Sequence, residues 1–164
     1  MKSVLPRFAL LLAVFGLAAA GAVRAGDEPQ LLTGQTLYLP VYSHVYHGDP
    51  GRDGKPAQTL VSTHISIRNT DPQAAIKLLW ARYYDTQGKL VRAYVATPLV
   101  IPPLGTHEIF VPRTDTAGGS GANFLLAWSS DVPANPPLVE GLHADIREAR
   151  TLMFITTGQA IRTR

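Results

Sequence analysis

The sequence predicts an all-β protein: a two-sheet antiparallel sandwich, immunoglobulin-like, of about seven to eight strands, with a jelly roll or a small barrel as the next topologies. Three observations carry this. Short runs alternate apolar and polar residues with a period of two, the mark of a half-buried strand. Clusters of Gly, Pro, Asn and Asp separate the runs, and Gly plus Pro make up 24 of the 139 residues after position 25. That density leaves little room for long helices. No internal repeat is visible, and residues 35–164 suit a single domain.

The elements follow in order. Gln35–Tyr46 reads as the first strand, with Leu37, Leu39, Val41 and Val45 on one face and Tyr38, Tyr42, His44 and Tyr46 on the other. Pro40 has no amide to donate, so an edge position or a bulge is expected. His47–Gln58 is a loop. Thr59–Asn69 is the second strand, with Val61, Thr63, Ile65 and Ile67 inward and Ser62, His64, Ser66 and Arg68 outward. Asn69–Pro72 has turn chemistry. Ala75–Tyr84 is the third strand, and its alternation breaks at Leu78–Leu79, where a bulge is expected. Asp85–Lys89 is a hairpin connection in which Gly88 is free to take positive φ. Leu90–Ile101 is the fourth strand, bent at Pro98, and Thr106–Val111 the fifth. After the glycine-rich loop Pro112–Ala122, Asn123–Ser129 is the sixth, with Phe124, Leu126 and Trp128 on one face. Leu138–Ile146 and Leu152–Thr156 complete the set.

Residues 1–25 read as a cleaved signal peptide. Lys2 and Arg7 form a positive start, Phe8–Ala20 an apolar run, and Val23 and Ala25 are small residues at the cleavage positions. The apolar run is shorter than the ~20 residues that span a bilayer, and no second long run follows. Residues 26–34 are a flexible polar lead-in. A periplasmic or secreted bacterial protein is expected, with no transmembrane segment after cleavage.

Composition excludes several classes. There is no cysteine, hence no disulfide framework, thiol nucleophile or cysteine-ligated metal. Lys2, Arg7 and Arg24 fall in the leader and leave 12 Lys+Arg against 12 Asp+Glu. That balance gives no basic surplus for nucleic acid. Gly118–Asn123 lacks the Lys-Ser/Thr of a phosphate loop and runs into a strand. Gly119-Ser120-Gly121 lacks the spacing of a nucleophile elbow. No paired carboxylates stand out for glycosidase chemistry. No cofactor and no catalytic constellation are expected.

Two surface readings remain. Tyrosines combine apolar area with a hydroxyl and suit partner or sugar binding. The Tyr42, His44, Tyr46 stripe leads to the end where alternating strand direction would gather loops His47–Gln58, Asp85–Lys89 and Pro112–Ala122. Candidate ligand-binding residues are therefore Tyr42, His44, Tyr46, Asp115, Ser120 and Asn123. Backbone amides of the glycine loop could also form an anion nest. The alternative is a periplasmic metal site of His44, His47 and a nearby carboxylate, Asp49. The plainer account of the stripe is that strand-loving tyrosines cover a sheet face.

The segments Leu37–Tyr46, Ser66–Asp71, Tyr83–Asp85, Gly88–Arg92 and Gly118–Phe124 resemble an exported bacterial family known only as a domain of unknown function. The resemblance covers about residues 34–161. It implies export and lends no catalytic residue. The reading that follows is an exported, non-enzymatic binding or interaction module of the bacterial envelope, its partner an envelope protein or glycan.

Overall fold

Residues 30–162 are described in a computed structural model, so the signal-peptide reading of 1–25 lies outside the described residues. Those residues form twelve strands and no helix. They are β1 (Leu32–Pro40), β2 (His44–His47), β3 (Ala57–Leu60), β4 (Ser62–Arg68), β5 (Ile76–Tyr84) and β6 (Leu90–Val95). Then come β7 (Leu99–Ile101), β8 (Thr106–Val111), β9 (Asn123–Ala134), β10 (Leu138–Arg147), β11 (Arg150–Thr157) and β12 (Gln159–Ile161). One sheet runs β12-β1-β9-β5-β6 with β7 also on β5, a second runs β11-β10-β4-β8, and β2 and β3 form a ribbon. Every pairing is antiparallel.

The count of seven to eight strands is corrected to twelve, for local reasons. Three expected runs are each cut in two. Pro98 divides the fourth into β6 and β7, both still on β5, because proline supplies no ladder donor. Val41–Ser43 divides the first and Val61 the second, where the chain leaves the sheets for the ribbon. The three-residue β12 is too short to show alternation in sequence. The first strand also starts earlier, at Leu32, so Leu32 and Gly34 of the lead-in are paired with β9, with a register shift between them. Gly34 permits this, since a Cβ there would lie 2.9 Å from the Trp128 carbonyl oxygen. Nor is β1 an edge: it lies between β12 and β9. Pro40 is tolerated because β12 covers only Thr36–Tyr38.

Other local expectations are observed. The ladder of β5 and β9 shifts register between Leu78 and Trp80, and Gly88 has φ +79°. At the Asn69–Pro72 turn, Asn69 Nδ2 donates to the carbonyls of Ala74 and Pro102. The Asp71 carboxylate accepts from the amides of Ala74, Asn135 and Gln73, which hold its pKa below the usual value.

The inward residues build one core. Leu37 and Leu39 of β1, Ile76 and Leu78 of β5 and Phe124, Leu126 and Trp128 of β9 come from the first sheet. Ile65 and Ile67 of β4, Ile109 of β8 and Val139 of β10 come from the second. Each large apolar side chain taken from water contributes about 1.5–3 kcal/mol.

Candidate functional site

The site forms where Val41–Ser43 crosses from β1 to the β2–β3 ribbon. A buried crossing must satisfy its backbone polar groups outside any ladder, and distant residues do so here. Val41 N donates to Ala122 O at 2.9 Å, Tyr42 N to His143 Nε2 at 3.1 Å and Ser43 N to Gly119 O at 3.0 Å. In return Thr63 Oγ1 donates to Tyr42 O, Val61 N to Ser43 O and Thr156 Oγ1 to Pro40 O at 2.7 Å. The glycine loop, β4 and β10 are thereby pinned to one three-residue segment, and β11 to Pro40 just before it.

The glycine loop docks through its carbonyls. Gly118 O accepts from Thr86 N and Thr86 Oγ1, and Gly119 O also accepts from Ser43 Oγ. Gly119 N donates to Thr116 O and Gly121 N to Thr86 Oγ1. The amides of Gly119 and Gly121 are thus already engaged, which interrupts the run of successive free amides that an anion nest needs. Gly119 has φ +78°, a conformation suited to glycine, whereas Gly121 has no positive φ. The tightest approach is at Gly118, which sequence did not single out: its α-carbon faces the Tyr83 ring.

Above the crossing lies an open concavity of about 570 Å³ lined by Tyr42, His44, Val45, Tyr46, Ser120, Phe154 and Thr156. Four of these, Tyr42, His44, Tyr46 and Ser120, were expected from sequence. The parity that puts residues 42, 44 and 46 on one face survives the break in the strand. Tyr46 is 56% exposed and meets His44 edge-on at 4.8 Å between ring centres. Tyr42 is half-buried and sits edge-on to both His143 and Phe154. No charged side chain lines the concavity.

His143 supports it from below. The ring is fully buried and stacked on Phe154 at 4.4 Å with the planes 1° apart. Its Nε2 accepts from Tyr42 N, so the neutral ring carries its proton on Nδ1. Burial pushes its pKa down to about 4, against the backbone of Gly141 and Phe154, which raise it. Phe154, Thr156 and His143 come from the last two long strands and were missed. The only signal was the inward parity of His143 within Leu138–Ile146. Nothing in sequence paired it with Tyr42, 101 residues away.

Two expected residues lie elsewhere. Asp115 is held by Arg92 at 3.4 Å and by the amide of Ala117. Asn123 is paired across β9 with Pro40 and Tyr84. Loop parity alone points to both, and it ignores where the loop folds back. The Asp85–Lys89 and Pro112–Ala122 loops do meet through Thr86. The tip of the ribbon, within His47–Gln58, closes on itself through Gly51 N to Lys55 O. The His44, His47, Asp49 metal set is also corrected. Among the described residues no three His, Asp or Glu are grouped to hold a metal ion, and His47 Nε2 lies 2.9 Å from Thr59 Oγ1.

Fold and concavity together define an all-β protein of antiparallel sheets carrying an uncharged, aromatic-lined surface hollow. Residues 34–161 match the family described as "Protein of unknown function (DUF3124)", and the chain belongs to that family. The family resemblance read from sequence is thereby borne out. No curated protein matches. Among solved structures the chain is similar to one titled "Crystal Structure of Thermotoga maritima 1070", at 13% identity and a TM-score of 0.42, over 76% of this chain and 92% of that one. Among the described residues, no helix is long and apolar enough to cross a membrane.

Proposed function

We propose that this protein is an exported, non-enzymatic binding module of the bacterial envelope, periplasmic or secreted, whose two larger sheets pack as an immunoglobulin-like sandwich. The observation that carries the binding role is the hollow lined by Tyr42, His44, Tyr46, Ser120 and Phe154. Aromatic side chains spend little conformational entropy on contact and offer both apolar faces and hydroxyls. An uncharged lining suits an uncharged polar partner, a glycan or a neutral segment of an envelope protein. The sandwich reading is supported by the shared core, to which both sheets contribute.

Export has its own test. Intact-mass measurement of the protein recovered from the periplasm or medium is expected to show a chain starting at Gly26. A full-length chain in the membrane fraction would refute it.

The binding role is tested by Tyr46→Ala. Tyr46 is exposed, so its truncation is expected to leave thermal unfolding close to wild type. Capture of the wild-type partner from envelope extract is expected to fall about tenfold or more, as for a central aromatic anchor. Wild-type capture by the folded variant would remove the hollow as the binding surface.

A further inference from the structure

A second concavity, sharing no lining residue with the first, lies at the end of the second sheet. It has a volume of about 470 Å³ and is lined by Phe110, Arg113, Asp145, Ile146 and Arg147 together with Ser62 and Ala144. Arg147 ends β10 and stands directly opposite Arg150, which begins β11. Like charges facing each other across a ladder repel, so this pairing needs a compensating anion. Asp145 supplies it, two residues before Arg147 and on the same face.

Its carboxylate is 2% exposed, with Arg147 Nε at 3.0 Å, Arg150 at 3.0 Å and Arg113 at 3.7 Å. One carboxylate balances one guanidinium. Two positive charges are left over, and no other acid lies within 4 Å of these three side chains among the described residues. Arg147 uses only its Nε on Asp145, so its planar terminal N–H groups are left for another acceptor. All three guanidiniums remain about half exposed while Asp145 holds them from beneath. This is the arrangement that binds oxyanions: preorganised forks of donors whose mutual repulsion falls when a second anion arrives. Phe110 and Ile146, both exposed, place an apolar wall beside the charges.

We propose that Arg113 and Arg147, which line this concavity and are organised by Asp145 with Arg150 on its other oxygen, form a binding site for a phosphate group. The group can come from a free phosphate or from an anionic lipid headgroup. Arg113 is the residue to change, because its contact with Asp145 is the longest of the three and its loss leaves the two short ones in place.

The test titrates the purified protein by calorimetry with inorganic phosphate, and by flotation with phosphatidylglycerol vesicles against phosphatidylcholine vesicles. Each is run at a temperature where circular dichroism shows the variant folded. Wild type is expected to bind phosphate, or phosphatidylglycerol in preference to phosphatidylcholine. Arg113→Gln and Arg147→Gln are each expected to weaken that binding about tenfold or more, the loss typical of a charge-assisted hydrogen bond. Arg92→Gln, whose charge Asp115 already balances, is expected to bind as wild type. Phosphate binding without vesicle binding identifies a free solute, and vesicle binding alone a headgroup. No binding in either arm, or equal weakening by Arg92→Gln, overturns the site and reduces the cluster to a staple of the β10–β11 hairpin.

Discussion

Gly118→Ala is expected to cost about 3 kcal/mol, at the upper end of what overpacking a filled interior costs. The new Cβ would overlap the Tyr83 hydroxyl and stand 2.5 Å from Tyr83 Cζ and 2.6 Å from Ala122 Cβ. Neither side can yield. Tyr83 is buried and stacked on Phe124 at 5.0 Å between ring centres. The loop is held by the two Thr86 bonds to Gly118 O and by Ser43 on Gly119 O. Urea denaturation of Gly118→Ala should therefore show a lower midpoint with an unchanged slope. Tyr83→Phe in the same chain should recover part of the loss by removing the hydroxyl. Gly121→Ala is the contrast: its Cβ meets the Thr86 side chain, whose methyl is nearest at 3.0 Å, and the expected loss is about 1 kcal/mol. A wild-type midpoint for Gly118→Ala would mean that the loop does not rest on Tyr83. Because the loop carries Ser120 into the aromatic hollow, its displacement should also weaken partner capture.

Acidification should destabilise the protein between about pH 6.5 and pH 4 through His143. Above pH 6.5 the ring is neutral in both the folded and the unfolded chain, and its contribution is complete. As the pH falls through 6.5 the unfolded chain takes up a proton that the folded chain refuses, since the folded pKa is lowered to about 4. The loss grows until the folded ring also protonates near pH 4 and then levels. Such a shift corresponds to at most about 3 kcal/mol. Asp71 and Asp145, whose pKa values are also lowered, act in a different window. Their contribution is present above the ordinary carboxylate pKa and is lost as the pH falls through their folded values. Denaturant unfolding at pH 7.5, 6, 5 and 4.5 for wild type and His143→Gln isolates the effect. The variant is expected to be less stable at pH 7.5, because the ring packed on Phe154 is gone, and to lose the steep fall below pH 6.5. An equal fall in both proteins would place the acid sensitivity elsewhere.

Local chemistry accounts for what could be read directly from the chain. Alternation fixes which side chains of a strand face inward, because successive Cβ atoms point to opposite faces wherever that strand is placed. Hence Leu37, Leu39, Ile65, Ile67, Phe124, Leu126 and Trp128 were legible as core. The Leu78 bulge and the Gly88 turn were legible for the same reason, since each depends on a few adjacent residues. The Tyr42, His44, Tyr46 stripe was legible as a shared face, and it remains one across the break after Pro40.

Long-range packing decided the rest. No local pattern shows that the backbone of Val41–Ser43 must be satisfied by Ala122, His143 and Gly119, and that demand is what divides the first strand and assembles the hollow. Phe154 and Thr156 reach the tyrosines because β11 forms the edge of the second sheet beside the crossing, a consequence of strand order. Asp115 and Asn123 were misplaced because loop parity gives an end of the molecule and not a position within it. The arginine cluster belongs to the same class: Arg113 and Arg147 are 34 positions apart, and only the pairing of β4 with β8 and β10 brings them to one carboxylate. By itself the sequence determined the all-β class, the inward faces of its main strands and the family. The tertiary structure decided which distant groups share a surface, because strand pairing is set by the packing of the whole core and not by any one strand's pattern.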